Sequence, residues 1–101
     1  MLREVDNMQV NYVICQLSPI SKYQMISLFD KEKEILRAGV PDYEFIDSLI
    51  NYIITYKIKN IVFKGAIDYT SKLKEKILNE LLKYNIKDVT IVQTYKKEES
   101  I

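Results

Sequence analysis

NIVFKGAIDYTSKLKEKILNELLKYNIKDVTIVQT, residues 60–94, changes its hydrophobic period twice. Residues 60–64 are a short apolar run of β-formers, stopped by Gly65. Over residues 71–84, Leu73, Ile77, Leu78, Leu81 and Leu82 recur at helical spacing, while Lys72, Lys76, Asn79, Glu80 and Lys83 fill the other side. Thr70 or Asp68 supplies the N-terminal cap and Asn85 the C-terminal stop. Residues 88–94 return to β-formers. Strand, helix, strand at this spacing predicts a parallel pair joined by a right-handed crossover.

Upstream, Gly39-Val40-Pro41-Asp42 reads as a break, followed by a helix over about residues 42–56. Its apolar residues Tyr43, Phe45, Ile46, Leu49, Ile50, Tyr52, Ile53, Ile54 and Tyr56 cover an arc of about 200°. One sheet face needs less, so this helix is expected to touch a second element or a second molecule. Residues 10–17 (VNYVICQL) predict a strand that is apolar on both alternating faces. Residues 19–37 have two readings. As a helix they start well, with Ser18 as cap and Pro19 at the first position. Their apolar residues scatter around the wheel, however, without a stripe. As a hairpin, strands over 23–29 and 34–38 flank a turn at residues 30–33, although that turn lacks Gly and Asn. The missing stripe favours the hairpin.

The predicted fold is therefore α/β: a three-stranded meander, then helix, strand, helix, strand. These elements form a mixed five-stranded sheet with both helices mainly on one face. At 101 residues the chain suits one domain over 1–101, with residues 1–8 and 96–101 expected to be flexible. A domain of this size buries roughly 60–68% of its unfolded surface, enough for a core without staples.

Composition excludes several classes of chemistry. There is no histidine, which removes Ser-His and Cys-His nucleophile pairs and most zinc sites. Cys15 is the only cysteine, so no intrachain disulfide forms, and mid-strand it reads as an inert buried thiol. A net charge of +1 argues against a dedicated nucleic-acid binder. No segment approaches the ~20 apolar residues of a membrane span, and Met1-Leu2-Arg3-Glu4-Val5-Asp6 is no signal peptide, so a cytoplasmic location is expected. Lysine outnumbers arginine 13 to 2. With the wealth of Ile, Asn and Tyr, this is the bias of an AT-rich genome, as in a low-GC bacterium or its phage.

The element order resembles the core of the ribonuclease H-like fold and that of ribosomal S11-type proteins, over about residues 10–94. The resemblance rests on element order and on no shared motif. It implies nucleic-acid association, and for the nucleases it implies acids on the first strand, near the end of the fourth, and on a later helix, holding two metal ions. Here the first strand reads NYVICQL and the fourth NIVFKG, without a carboxylate. Asp68 lies just beyond the fourth strand and has no acidic partner on the first. Such a chain looks catalytically empty, with no metal or cofactor expected, and it lacks the strongly basic character of a ribosomal protein.

Two candidate sites follow. The turn after the fourth strand lies at the carboxyl end of a parallel strand and leads into a helix N-terminus, where ligands of α/β sheets and anions are favoured. Lys64, Gly65, Thr70, Ser71 and Lys72 are its candidate ligands for a nucleotide or phosphate. An ordinary capped strand-to-helix loop explains the same residues, since neither a P-loop nor a dinucleotide fingerprint is present. The second site is the sheet face left bare by the helices, with Tyr12, Ile14, Met25 and Phe29, together with Tyr52 and Tyr56 of the first helix, as a candidate partner interface. A covering by the N-terminal residues or the tail is the alternative. The expected function is a non-catalytic protein-interaction module, self-associating or bound to a partner protein. An anionic-ligand binder and a degenerate ribonuclease H-like protein are the alternatives.

Overall fold

A computed structural model describes residues 9–94. The segments expected to be flexible fall outside the described residues. The elements run β1 (Tyr12–Gln16), β2 (Tyr23–Asp30), β3 (Lys33–Pro41), a 3-10 turn (Asp42–Glu44), α1 (Phe45–Tyr56), β4 (Asn60–Lys64), α2 (Ile67–Lys83) and β5 (Thr90–Thr94). They form one five-stranded mixed sheet in the order β3-β2-β1-β4-β5. β1 is central, antiparallel to β2 and parallel to β4, and β4 is parallel to β5. The expected meander and strand–helix–strand half are both present.

Residues 19–37 form the hairpin, not a helix. Its loop is two residues, Lys31 and Glu32, between the paired Asp30 and Lys33. No glycine supplies the left-handed conformation; Lys31 adopts it instead, at φ 62°. The side chain of Asn11 compensates by accepting the Lys31 N–H at 2.5 Å. The expected break at residues 39–42 does not occur where predicted. β3 stays extended, pairing Gly39 with Met25, Val40 with Gln24 and Pro41 with Tyr23. β3 is an edge strand, so the N–H that proline lacks is not missed there.

The first helix starts later than expected, because residues 42–44 take a 3-10 turn that shifts Tyr43 out of phase and leaves it 83% exposed. The apolar arc is correspondingly narrower. Phe45, Leu49, Ile50 and Ile53 are buried, Ile46, Tyr52 and Tyr56 pack partly against the core, and Ile54 faces water. The second helix starts four residues earlier than expected. Ala66 is the N-cap, in extended conformation and without a side-chain cap bond, and Thr70 lies inside the helix, fully buried. Leu82, expected on the buried side, is 54% exposed.

Both helices end in the same way. Lys57 (φ 53°) and Asn85 (φ 62°) are left-handed, and the next residues, Ile58 and Ile86, donate back to Ile53 O and Leu81 O at 3.1 and 3.0 Å. This is the Schellman pattern, with Ile58 driven into the core.

Alternation along the strands sorts the sheet into two faces. Val13, Cys15, Ile26, Leu28, Ile61, Phe63 and Ile91 meet Phe45, Leu49, Ile53, Ile77 and Leu81 in one core. Phe45 and Phe63 lie at its centre, tilted at 60° with centroids 6.1 Å apart. α1 also packs on α2, which uses the width of its apolar arc. Both helices therefore serve one face. Among the described residues no helix is long and apolar enough to cross a membrane.

Candidate functional site

The other face of the sheet is built by the complementary strand positions. Ser27, Ile14, Val62 and Val92 stand side by side across β2, β1, β4 and β5. Phe29 and Tyr12 are paired on the same face, their rings parallel within 2° and 4.9 Å apart. Met25, Gln16, Lys64 and Thr94 form the next row. The apolar members of these rows lie outside the core cluster, and Val92 is 50% exposed. At the β3 edge, Arg37 and Glu34 close the face with an ion pair at 2.9 Å.

The structure thus brings together Tyr12, Ile14, Met25 and Phe29. It separates them from Tyr52 and Tyr56, which stack on each other at 6.4 Å on α1, on the helix side of the sheet. No single flat surface holds both groups. Val62 and Val92 were not among the expected interface residues. Their signal is present in NIVFK and TIVQT: both short strands are apolar at consecutive positions, so one apolar side chain must face away from the core.

Where β1 and β4 end, the row Met25–Gln16–Lys64–Thr94 borders an open cleft of about 590 Å³. Leu17, Ser18, Ser21, Tyr23 and Gly65 also line it. The loop between β1 and β2 is held in place by the buried carboxamide of Gln24. Gln24 Oε1 accepts the Ser18 N–H at 2.9 Å, and Nε2 donates to Ser18 O at 2.8 Å and to Asp42 Oδ1 at 3.0 Å. Tyr69 donates to the same Asp42 oxygen at 3.1 Å. Burial, then that bond and the Asp42 charge, push the Tyr69 hydroxyl above its ordinary value. Gln24 shares its strand face with the buried Ile26 and Leu28, but nothing in the sequence singles out its carboxamide as a clamp.

Gly65 is fixed by close approach. A Cβ there would lie 2.5 Å from Leu17 O and 3.2 Å from Thr70 Cγ2. Strand ends β1, β4 and β5 are tied at this point by Leu17 N–H to Lys64 O (2.9 Å) and Gly65 N–H to Thr94 O (3.3 Å).

The five expected anion ligands do not form one group. Lys64 and Gly65 line the cleft. Thr70 is buried behind Gly65, its hydroxyl donating to Ile67 O and accepting from Gln93 Nε2 at 2.9 Å. Ser71 accepts from the same Gln93 amide, and Lys72 is exposed in the second turn of α2. Because the helix begins at Ile67, residues 70–72 lie past the N-terminal N–H groups that would have faced an anion.

Cys15 is fully buried, and burial alone pushes its thiol far above the ordinary range. Among the described residues no three His, Cys, Asp or Glu side chains come together as a metal site would require. Comparison with family models, with curated proteins and with solved structures finds no match to this chain.

Proposed function

We propose that this chain is a non-catalytic protein-interaction module that self-associates through the bare face of its sheet. One observation carries the reading. Ile14, Val62 and Val92 are aligned across three adjacent strands beside the stacked Tyr12–Phe29 pair, on a face over which no helix lies among the described residues. Apolar surface removed from water is worth about 25 cal/mol per Å², and a second sheet packed at about 10 Å is the usual cover for such a face. A two-fold pairing needs only this one patch, used twice.

The element order, a meander followed by helix–strand–helix–strand, supports a ribonuclease H-like architecture used as a scaffold. β1 and β4 carry no carboxylate where the nucleases of that fold place theirs. The reading takes the chain as a cytoplasmic protein of a bacterium or its phage, in line with the AT-rich residue bias. Size exclusion coupled to light scattering tests it. The expected result is a mass that rises toward the dimer with concentration and returns to the monomer with Val62→Asp. A monomer at every concentration overturns it.

A further inference from the structure

The cleft at the carboxyl ends of β1 and β4 has a chemistry of its own, independent of the apolar rows. Among the described residues its lining contains one charged group, Lys64, and no carboxylate. Lys64 forms no ion pair among the described residues. Register puts Gln16 and Thr94 on either side of it and on the same face, about 5 Å away across neighbouring strands. A cation flanked by an amide and a hydroxyl is a set of convergent donors. Met25 supplies apolar surface beside them, and Tyr23 is 62% exposed.

Size and spacing narrow the ligand. A volume of about 590 Å³ is in the range of small-molecule sites and far exceeds one phosphate ion. Tyr23 lies two strands over from Lys64 and two residues along β2 from Met25. Strand geometry puts the two backbones about 10–12 Å apart. That is the separation of an anionic group from an aromatic ring in a molecule of nucleotide size. A single lysine matches one anionic group better than a chain of phosphates.

The cleft is also pre-formed. The Gln24 carboxamide clamps Ser18 through both its N–H and its C=O, so this part of the lining is held without a ligand. Gly65, also in the lining, is fixed by its close approach to Leu17 O.

We propose that this cleft binds an aromatic anion of nucleotide size that carries a single phosphate or carboxylate group. Its phosphate or carboxylate sits on Lys64 between Gln16 and Thr94, and its ring lies against Tyr23. The site is on the sheet side of Gly65, not at the N-terminus of α2. Titration of the full chain, followed by amide NMR shifts, tests the proposal with four probes: adenosine monophosphate, adenosine, inorganic phosphate and adenosine-5′-carboxylate. At least one of the two aromatic anions is expected to bind about tenfold more tightly than adenosine or phosphate, with shifts at Gln16, Lys64 and Thr94. Which of them binds identifies the head group. Lys64→Ala, whose unchanged melting temperature would show an intact fold, is expected to weaken that binding about tenfold. Tyr23→Ala is expected to bring the aromatic anion down to the affinity of its head group alone. Absence of saturable shifts with either aromatic anion overturns the proposal. So does binding that survives Lys64→Ala, or phosphate binding as tightly as adenosine monophosphate.

Discussion

Gly65 and Leu17 meet where three strands end, and the contact leaves no room for a methyl group. The clashing atom is a backbone carbonyl that itself belongs to the β1–β4 junction, so it cannot swing aside as a side-chain tip would. Gly65→Ala is expected to cost about 1–3 kcal/mol, read as a fall in the urea midpoint with unchanged slope. A second expectation concerns Tyr69, whose hydroxyl is held protonated by burial and by Asp42. Its pKa is raised in the folded state, so the unfolded chain loses this proton first. The stabilisation is fully present below the ordinary tyrosine value of about 10 and is lost as pH rises through the higher folded value. The stability advantage of the native chain over Tyr69→Phe should hold steady to about pH 9 and shrink above about pH 10, as measured by denaturant melts at a series of pH values. Parallel profiles for the two would count against it. At this scale the sequence was readable in part. Gly65 announced itself as a strand stop and Cys15 as a buried thiol. The Gln24 clamp was invisible, because its partners come from the loop at residue 18 and from Asp42, brought together only by the folded sheet.

Element types were legible because period and length agreed, and element ends were legible only where a side chain signals them. Asn85 marked the end of α2 correctly, since asparagine tolerates the left-handed conformation the stop requires. The start of α2 was not legible. Ala66 caps without a side chain, while Asp68 and Thr70 imitate caps from inside the helix. Likewise Pro41 looked like a break and proved to be the last residue of an edge strand, a position that tolerates it. Lys57 ends α1 in the left-handed conformation, φ 53° and ψ 47°, which costs a residue with a Cβ. Lys57→Gly removes that steric cost, and a gain of about 0.5–1 kcal/mol is expected from thermal melts of the two chains. A loss of stability would mean that the lysine contributes more than the Schellman geometry accounts for.

For the molecule as described over residues 9–94, the governing fact is that two helices serve one side of a five-stranded sheet. That asymmetry was readable in outline from the first strand, where Tyr12, Val13, Ile14 and Cys15 leave no polar face. Its extent was not, because Val62 and Val92 become part of a surface only once β4 and β5 are placed in register beside β1. The width of the first helix's apolar arc had pointed to a second molecule as well, and contact with α2 accounts for it instead. This separates Tyr52 and Tyr56 from the proposed interface and leaves the bare sheet face as the surface to test. A dilution series of amide NMR spectra on the full chain does so residue by residue. Concentration-dependent shifts are expected at Tyr12, Ile14, Phe29, Val62 and Val92, with α1 and α2 unaffected. Spectra that do not change between micromolar and millimolar protein, or changes confined to the helices, would contradict the proposed interface.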